Sequence, residues 1–317
     1  MSLTASGFKT KHLTIVGLGL MGGSLALALR DRAETITAVE MHAPSRAYAL
    51  AHGLVDHATD DLRAGVADAD TVILAAPVRV IIDIVSKRIG TYLRSNTLVI
   101  DIGSTKHEIC EAMGRLPIGV NAIGGHPMTG KEISGVEASD ACLYENRPFV
   151  LCSTRRTTPA ARVRALSLIE ALRAEPIEME SERHDRIVAG ISHLPYLLSA
   201  SLVATIEGEA EHDDAFWRLA AGGFRDTSRL AGSDIKMMGD ILSTNQRAVA
   251  TLLAMFRVKL AQMEVLLIAG EYEKLMQHLF SVREARQTWA EHYEQKRHRK
   301  TDNPAGTAAD GDDSRPR

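Results

Sequence analysis

His12-Leu13-Thr14-Ile15-Val16-Gly17-Leu18-Gly19-Leu20-Met21-Gly22 passes without a break from an apolar stretch into a glycine-rich turn and the start of a helix. A short run of Ile, Leu and Val ending in glycine reads as a buried strand, and a helical pattern over Gly22–Arg30 follows at once. Gly17 permits the tight turn, Gly19 lets a ligand approach the backbone, and Gly22 lets the helix pack closely against the strand. The helix that opens through Leu20 and Met21 directs its free amides and positive dipole end toward bound phosphates. Glu40 closes the second strand, 18 residues beyond Gly22. A carboxylate there accepts hydrogen bonds from an adenosine ribose and repels a 2′-phosphate. Gly17, Gly19, Leu20, Met21, Gly22 and Glu40 are therefore expected to bind NAD in preference to NADP, with nearby Arg46 the residue that argues the other way.

Outward from this unit, Thr35–Glu40, Thr71–Ala76, Thr97–Ile102 and Asn121–Gly124 also read as buried strands. Helix-like stretches such as Val80–Leu93 lie between them, which implies a parallel sheet with right-handed crossovers. Arg147–Cys152 and Pro176–Glu180 add strands on either side of a helix over Pro159–Arg173. The fold expected is α/β, with a Rossmann-type dinucleotide-binding domain over residues 1–180 and an all-α domain over 181–300. Ser181 is a candidate N-cap, with His184 and Asp185 in the first turn. Ile187–Ile206 is apolar on nearly every face, and Ala248–Ile268 spreads its apolar residues beyond one stripe. Helices of that kind are normally buried all round, so a second copy of the chain is expected to cover them in a homodimer. Lys296–Lys300 (KRHRK) reads as a solvated helix end, and residues 301–317, without a large apolar side chain, as a disordered tail.

Composition narrows the function classes. Lys plus Arg is 37 against 40 Asp plus Glu, a net charge of −3 that offers no drive toward nucleic acid or an anionic membrane. Aromatic residues make up 4%, too few for base-stacking platforms. No uninterrupted apolar run approaches the roughly 18 residues of a membrane span. Three scattered cysteines, with a polar N-terminus, fit free thiols in a cytoplasmic protein rather than a disulfide framework, and no His/Cys/acidic cluster has metal-site spacing.

Four clusters carry candidate chemistry. Asp101-Ile102-Gly103-Ser104-Thr105-Lys106 ends the fourth strand, where ligands of open α/β sheets sit, and Ser104 is placed either to hydrogen-bond a substrate or to cap the next helix. Gly124-Gly125-His126-Pro127-Met128-Thr129-Gly130 sets a histidine among small residues that admit a substrate. Its imidazole has the intrinsic pKa to take a proton from an alcohol. In Ile191-Ser192-His193-Leu194-Pro195 the proline should kink the helix, and His193 reads equally as a ligand group or a satisfied core histidine. Gly222-Gly223-Phe224-Arg225-Asp226-Thr227-Ser228-Arg229 offers two guanidinium forks for carboxylates, Arg225 being the one a pairing with Asp226 would occupy.

Taken in order, GLGLMGGS, DIGSTK, GGHPMTG with SGVEASD, ISHLP and GGFRDTSRLAGSD resemble the motifs of prephenate dehydrogenases from about His12 to Gln246. The resemblance implies oxidative decarboxylation of prephenate or arogenate, to 4-hydroxyphenylpyruvate or tyrosine, by a dinucleotide domain joined to a dimerising helical domain. It implies His126 as acceptor of the ring C4 hydroxyl proton and Ser104 within that hydroxyl's hydrogen-bond network. It also implies Arg229 as the carboxylate binder and His193 beside the substrate side chain. Lys131, just after HPMTG, adds positive charge near the expected pocket mouth.

The chain departs from the pattern at Tyr196, where many relatives have a second histidine, and at Ser233–Gly239, which lacks an aromatic residue and an arginine. Nothing after Ile268 alternates strand and helix, so no βαββαβ regulatory domain is expected. The alternatives are an arogenate or amino-substituted prephenate dehydrogenase, a β-hydroxyacid dehydrogenase, and a nucleotide-sensing protein without chemistry. The second shares the GLGLMG start but depends on a lysine in a GxxGxGxxxK motif that is missing here.

Overall fold

The computed structural model describes residues 7–301. Among them eight strands form a sheet: β1 (Thr10–Val16), β2 (Ala33–Val39), β3 (His57–Thr59), β4 (Thr71–Leu74), β5 (Leu98–Asp101), β6 (Asn121–Pro127), β7 (Pro148–Ser153) and β8 (Glu175–Glu178). Their order is β3-β2-β1-β4-β5-β6-β7-β8, so the chain reverses direction across the sheet between β1 and β4. Helices α1 (Leu20–Ala28), α2 (Ala43–Ala51), α3 (Leu62–Val66), α4 (Val78–Lys87), α5 (His107–Met113) and α6 (Pro159–Ala171) connect or cover the strands.

Strand alternation divides the core in two. Leu13, Ile15, Ile36, Ile73, Leu98 and Ile100 face the layer that contains α1 and α6, with Leu25, Ala165 and Leu168 packed on them. Val16, Val39, Val72, Leu74 and Val99 face the opposite layer, against Ile81 of α4 and Met113 of α5. Both faces of the central strands are thus apolar, as a buried parallel sheet requires.

The sheet differs from the sequence reading in three ways. β3, the short polar edge strand His-Ala-Thr, gives no apolar signal. β6 extends through His126 to Pro127, so the histidine stands within the strand rather than beyond it. The direction of β7, which the sequence left open, is antiparallel to β6, with His126 opposite Val150, while the five strands read as parallel do pair so. A parallel neighbour needs a long crossover. The segment after β6 instead folds against α1, where Asp140 N donates to Ser24 Oγ at 2.9 Å. The helix expected over Val80–Leu93 ends at Lys87, followed by a 3-10 turn at Ile89–Thr91.

Beyond β8 the chain is helical: α7 (Ser181–Val188), α8 (Leu194–Ala210), α9 (Ala215–Leu219), α10 (Gly222–Ser228), α11 (Ile235–Thr244), α12 (Gln246–Ile268) and α13 (Tyr272–Thr301). Glu180, not Ser181, is the N-cap of α7. Between α7 and α8 the residues Ala189–His193 form a π turn. Pro195 lies in the first turn of α8, where its missing N–H breaks no helical bond, and the disruption falls on the residues before it.

The apolar helices are not buried within one chain. Only Ser199 of α8 and Val249 of α12 are buried, whereas Ile191, Met255 and Val265 are each at least 60% exposed. By length and mean hydropathy (1.6) alone, Ser181–Ala210 would pass as a membrane span. It carries buried His184, Asp185 and His193, so its interior is a polar site. The chain forms two compact units, one up to Leu253 and the other from Ala254 through α13. Apart from Thr301, the expected tail lies outside the described residues. Cys110 and Cys152 are buried and Cys142 exposed, all as free thiols.

Candidate active site

At the end of β1, Gly17 has φ +103, and a Cβ there would lie 2.5 Å from Ala75 O. A Cβ on Gly22 would lie 1.9 Å from Gly17 O, so turn and helix can approach only without those side chains. Gly19 differs: a Cβ would meet no protein atom within 4 Å. Packing leaves its identity unexplained, and the space beside it stays open to the backbone of Gly19, Leu20 and Met21. Tyr144, fully buried, donates its hydroxyl to Met21 O at 2.6 Å and pins the first turn of α1. Burial pushes its phenol far above the usual range, so it remains a donor.

Glu40 lies just past β2. Its Oε2 accepts from Leu18 N and its Oε1 from His42 N, each at 2.7 Å, which fastens the glycine turn to the neighbouring strand end. Each carboxylate oxygen keeps a lone pair for a ribose hydroxyl. Arg46 donates to Glu40 O at 2.6 Å and Met41 O at 3.0 Å, and pairs with Asp60 at 3.1 Å. Local acceptors thus occupy the cation that a 2′-phosphate would need.

The second centre is at the ends of β5 and β6. A Cβ on Gly124 would lie 2.6 Å from Cys110 Sγ, and one on Gly125 2.5 Å from Asp101 O, so neither glycine tolerates a side chain. Asp101 and Lys106 are fully buried and ion-paired, and the aspartate also accepts from Gly103 N at 2.8 Å and Gly125 N at 3.1 Å. Burial raises the Asp101 carboxyl, while the Lys106 ammonium and the two amides pull it back down. This pair locks β5 to β6 directly behind His126.

His126 Nδ1 is 2.8 Å from His184 Nε2 in α7, and His184 Nδ1 is 2.8 Å from Asp185 Oδ1. Asp185 also accepts from Lys106 N at 2.7 Å and His107 N at 2.9 Å, capping α5 from another helix. Ser104 therefore does not cap that helix, and its hydroxyl has no partner among the described residues.

These contacts dictate proton positions. In a neutral His184, the carboxylate that accepts from two amides takes the Nδ1 proton, leaving His184 Nε2 an acceptor. His126 must then carry its proton on Nδ1, and its Nε2 keeps a free lone pair. Burial, followed by the neighbouring His184, Lys106 and His193, holds the His126 imidazole well below its usual pKa.

His193, in the π turn, is buried, and burial lowers its pKa to about 4. Its Nδ1 is 3.2 Å from Asn245 Nδ2. Arg229 pairs with Glu132, Arg225 with Asp226 at 2.9 Å, and Lys131 with Asp140 at 2.8 Å. These three cations are at least one-third exposed. In the departure segment, Asp234 caps α11 by accepting from Met237 N at 2.6 Å. Among the described residues, no group of three or more His, Cys, Asp or Glu side chains is placed to hold a metal ion.

The structure thus brings His126 and His193 together and adds His184, Asp185 and Asn245, which sequence reasoning missed, while Ser104, at the approach to α5, hydrogen-bonds none of them. A glycine turn at a helix N-terminus with an acidic strand end, and a histidine with a free lone pair on the same sheet, fit an NAD-linked oxidoreductase. Residues 25–178 match the prephenate dehydrogenase nucleotide-binding domain and residues 180–281 the prephenate dehydrogenase dimerization domain. The chain belongs to the prephenate dehydrogenase family.

Prephenate dehydrogenase of Lactococcus lactis is 34% identical over 85% of this chain and 75% of its own. That of Bacillus subtilis is 34% identical over 74% of this chain, which spans 64% of the Bacillus protein. Cyclohexadienyl dehydrogenase of Zymomonas mobilis is 30% identical over 87% and 95% of the two chains. Among solved structures, prephenate dehydrogenase of Aquifex aeolicus superposes with a TM-score of 0.81 at 30% identity, covering 87% of this chain and 99% of that one. Arogenate dehydrogenase of Synechocystis reaches 0.77 at 31% identity, covering 88% and 99%. The Aquifex enzyme has also been solved with hydroxyphenyl propionate and NAD+.

Proposed function

We propose that the protein oxidatively decarboxylates prephenate to 4-hydroxyphenylpyruvate, with His126 as the acceptor of the C4 hydroxyl proton. The observation that carries the reading is the chain Asp185–His184–His126, which leaves a lone pair on His126 Nε2 at the strand end. Gly17, Gly19, Leu20, Met21, Gly22 and Glu40 would hold NAD. When bound, NAD supplies the hydride acceptor for C4, and loss of the ring carboxylate as carbon dioxide completes an aromatic ring.

The chain's own groups do the rest. His126 Nε2 takes the hydroxyl proton as an oxyanion would otherwise develop, and its Nδ1–H stays anchored on His184. Ser104 Oγ orients the same hydroxyl. Arg229, which pairs with Glu132 in this structure, binds a substrate carboxylate as a bidentate fork, with Lys131 and Arg225 adding positive charge nearby. His193 faces the side chain of the substrate. The exposed apolar faces of α8, α12 and α13 fit a second copy of the chain, and we place the homodimer in the cytoplasm.

The test is a single preparation supplied with NAD and, in turn, prephenate, arogenate or a 3-hydroxy acid, with reduced cofactor followed by absorbance. Prephenate turnover is expected, together with twice the 34.4 kDa chain mass by light scattering. Turnover of the 3-hydroxy acid alone, or a monomeric mass, overturns the corresponding part.

The depressed pKa of His126 gives this reaction a signed pH dependence. A base is active when unprotonated, so lowering its pKa extends activity toward acid. The acidic limb of kcat/KM is expected to lie below the ordinary histidine value of about 6.5. A limb at or above that value would mean that His126 is solvated and ordinary in the working enzyme.

A further inference from the structure

Asn245 ends α11 and is buried beside α7 and the π turn. Its Nδ2 is 2.7 Å from Asp185 O and 3.2 Å from His193 Nδ1. The carbonyl is an acceptor only, so the atom facing it must be the amide nitrogen and not its oxygen. That nitrogen has two hydrogens. One goes to Asp185 O, and the other can only go to an unprotonated His193 Nδ1. The proton of a neutral His193 must then sit on Nε2, which has no partner among the described residues.

We infer that Asn245 fixes His193 as a hydrogen-bond donor through Nε2, and that this donor makes the site select a 2-oxo acid side chain over a 2-amino acid side chain. Asp185 stands at the root of both histidine settings, which are opposite. Its carboxylate, through His184, leaves His126 with a bare Nε2, and its main-chain carbonyl, through Asn245, leaves His193 with a protonated one. One imidazole accepts from the ring hydroxyl and the other donates to the side chain.

The selectivity rests on the proposed placement of His193 beside that side chain. A keto oxygen accepts from Nε2–H. An ammonium group in its place has only donors, so two donors would face each other. His193 cannot escape by moving its proton to Nδ1, because that nitrogen faces the Asn245 amide N–H. Asn245 is a positioning residue in this scheme: it acts on substrate only through His193.

The test reads tautomer and selectivity separately. In histidine-labelled wild-type protein at pH 7.5, two-bond 1H–15N spectra, with the His193 signal assigned by its loss in His193→Gln, are expected to show the proton on Nε2. A proton on Nδ1, or on both nitrogens, overturns the inference whatever the activity. In Asn245→Ala the ratio of kcat/KM for prephenate to that for arogenate is expected to fall by about tenfold or more. Most of the change should be in KM for prephenate, with the acidic limb set by His126 unmoved. An unchanged ratio, or a loss confined to kcat, assigns Asn245 a purely structural part and overturns the inference. If the Nε2 proton is found but neither substrate is turned over, the proposed reaction fails while the tautomer assignment stands.

Discussion

With His126 replaced by asparagine, turnover of prephenate is expected to fall by about 10²–10⁴-fold, the usual worth of a positioned general base. Asparagine is the informative choice because its amide nitrogen can occupy the place of Nδ1 and still donate to His184 Nε2. The chain from Asp185 therefore keeps its proton order, and β6 keeps its pairing with β7 through the backbone. What disappears is the lone pair on Nε2. NAD affinity, which the proposed site at the glycine turn and Glu40 would set, should match the wild type in a fluorescence titration. The loss should appear in kcat and kcat/KM together, the pattern of an interaction made only in the transition state. Wild-type turnover would remove His126 from the chemistry, and loss of NAD binding would show that the residue supports the fold instead.

The parts of this site that were legible in sequence are those where backbone geometry leaves no choice of residue. Gly17 at φ +103 and Gly22 against Gly17 O admit only glycine, and the glycines before His126 exclude side chains from the space behind it. Such demands are local, so a short motif records them. His184 and Asp185 were visible only as polar residues in a first helical turn, because their partner is 58 residues earlier in β6. A His-Asp pair just ahead of a long apolar run was the available signal. Asn245 gave none, since its role depends on where the turn between α11 and α12 meets the π turn. Glu132, 97 residues before Arg229, was equally out of reach. The direction of β7 was not legible for a related reason. Strand direction is set by what the connecting segment packs on, and the residues after β6 carry no mark that they fold onto α1.

Replacing Lys106 by methionine is expected to cost about 3–5 kcal/mol of unfolding free energy at neutral pH, the price of an uncompensated buried charge. Lys106 and Asp101 are both fully buried, and no solvent can take over the role of the ammonium. Methionine fills most of the same volume, which separates the loss of charge from the opening of a cavity. The Asp101 carboxyl, already raised by burial, would rise further once its cation is gone. A carboxyl whose folded pKa exceeds its unfolded value of about 4 holds its proton more tightly in the folded state. Its stability is intact below pH 4 and declines by about 1.4 kcal/mol per pH unit as pH rises toward the folded pKa. The deficit of Lys106→Met relative to the wild type should therefore be small near pH 4 and largest at pH 7, measured by urea unfolding across that range. Adding Asp101→Asn should recover much of the loss, because the remaining amide can still accept from Gly103 or Gly125 without a charge to desolvate. A deficit independent of pH would place the cost in packing rather than in the buried carboxylate. It would also show that the two strand ends behind His126 are held by their apolar neighbours alone.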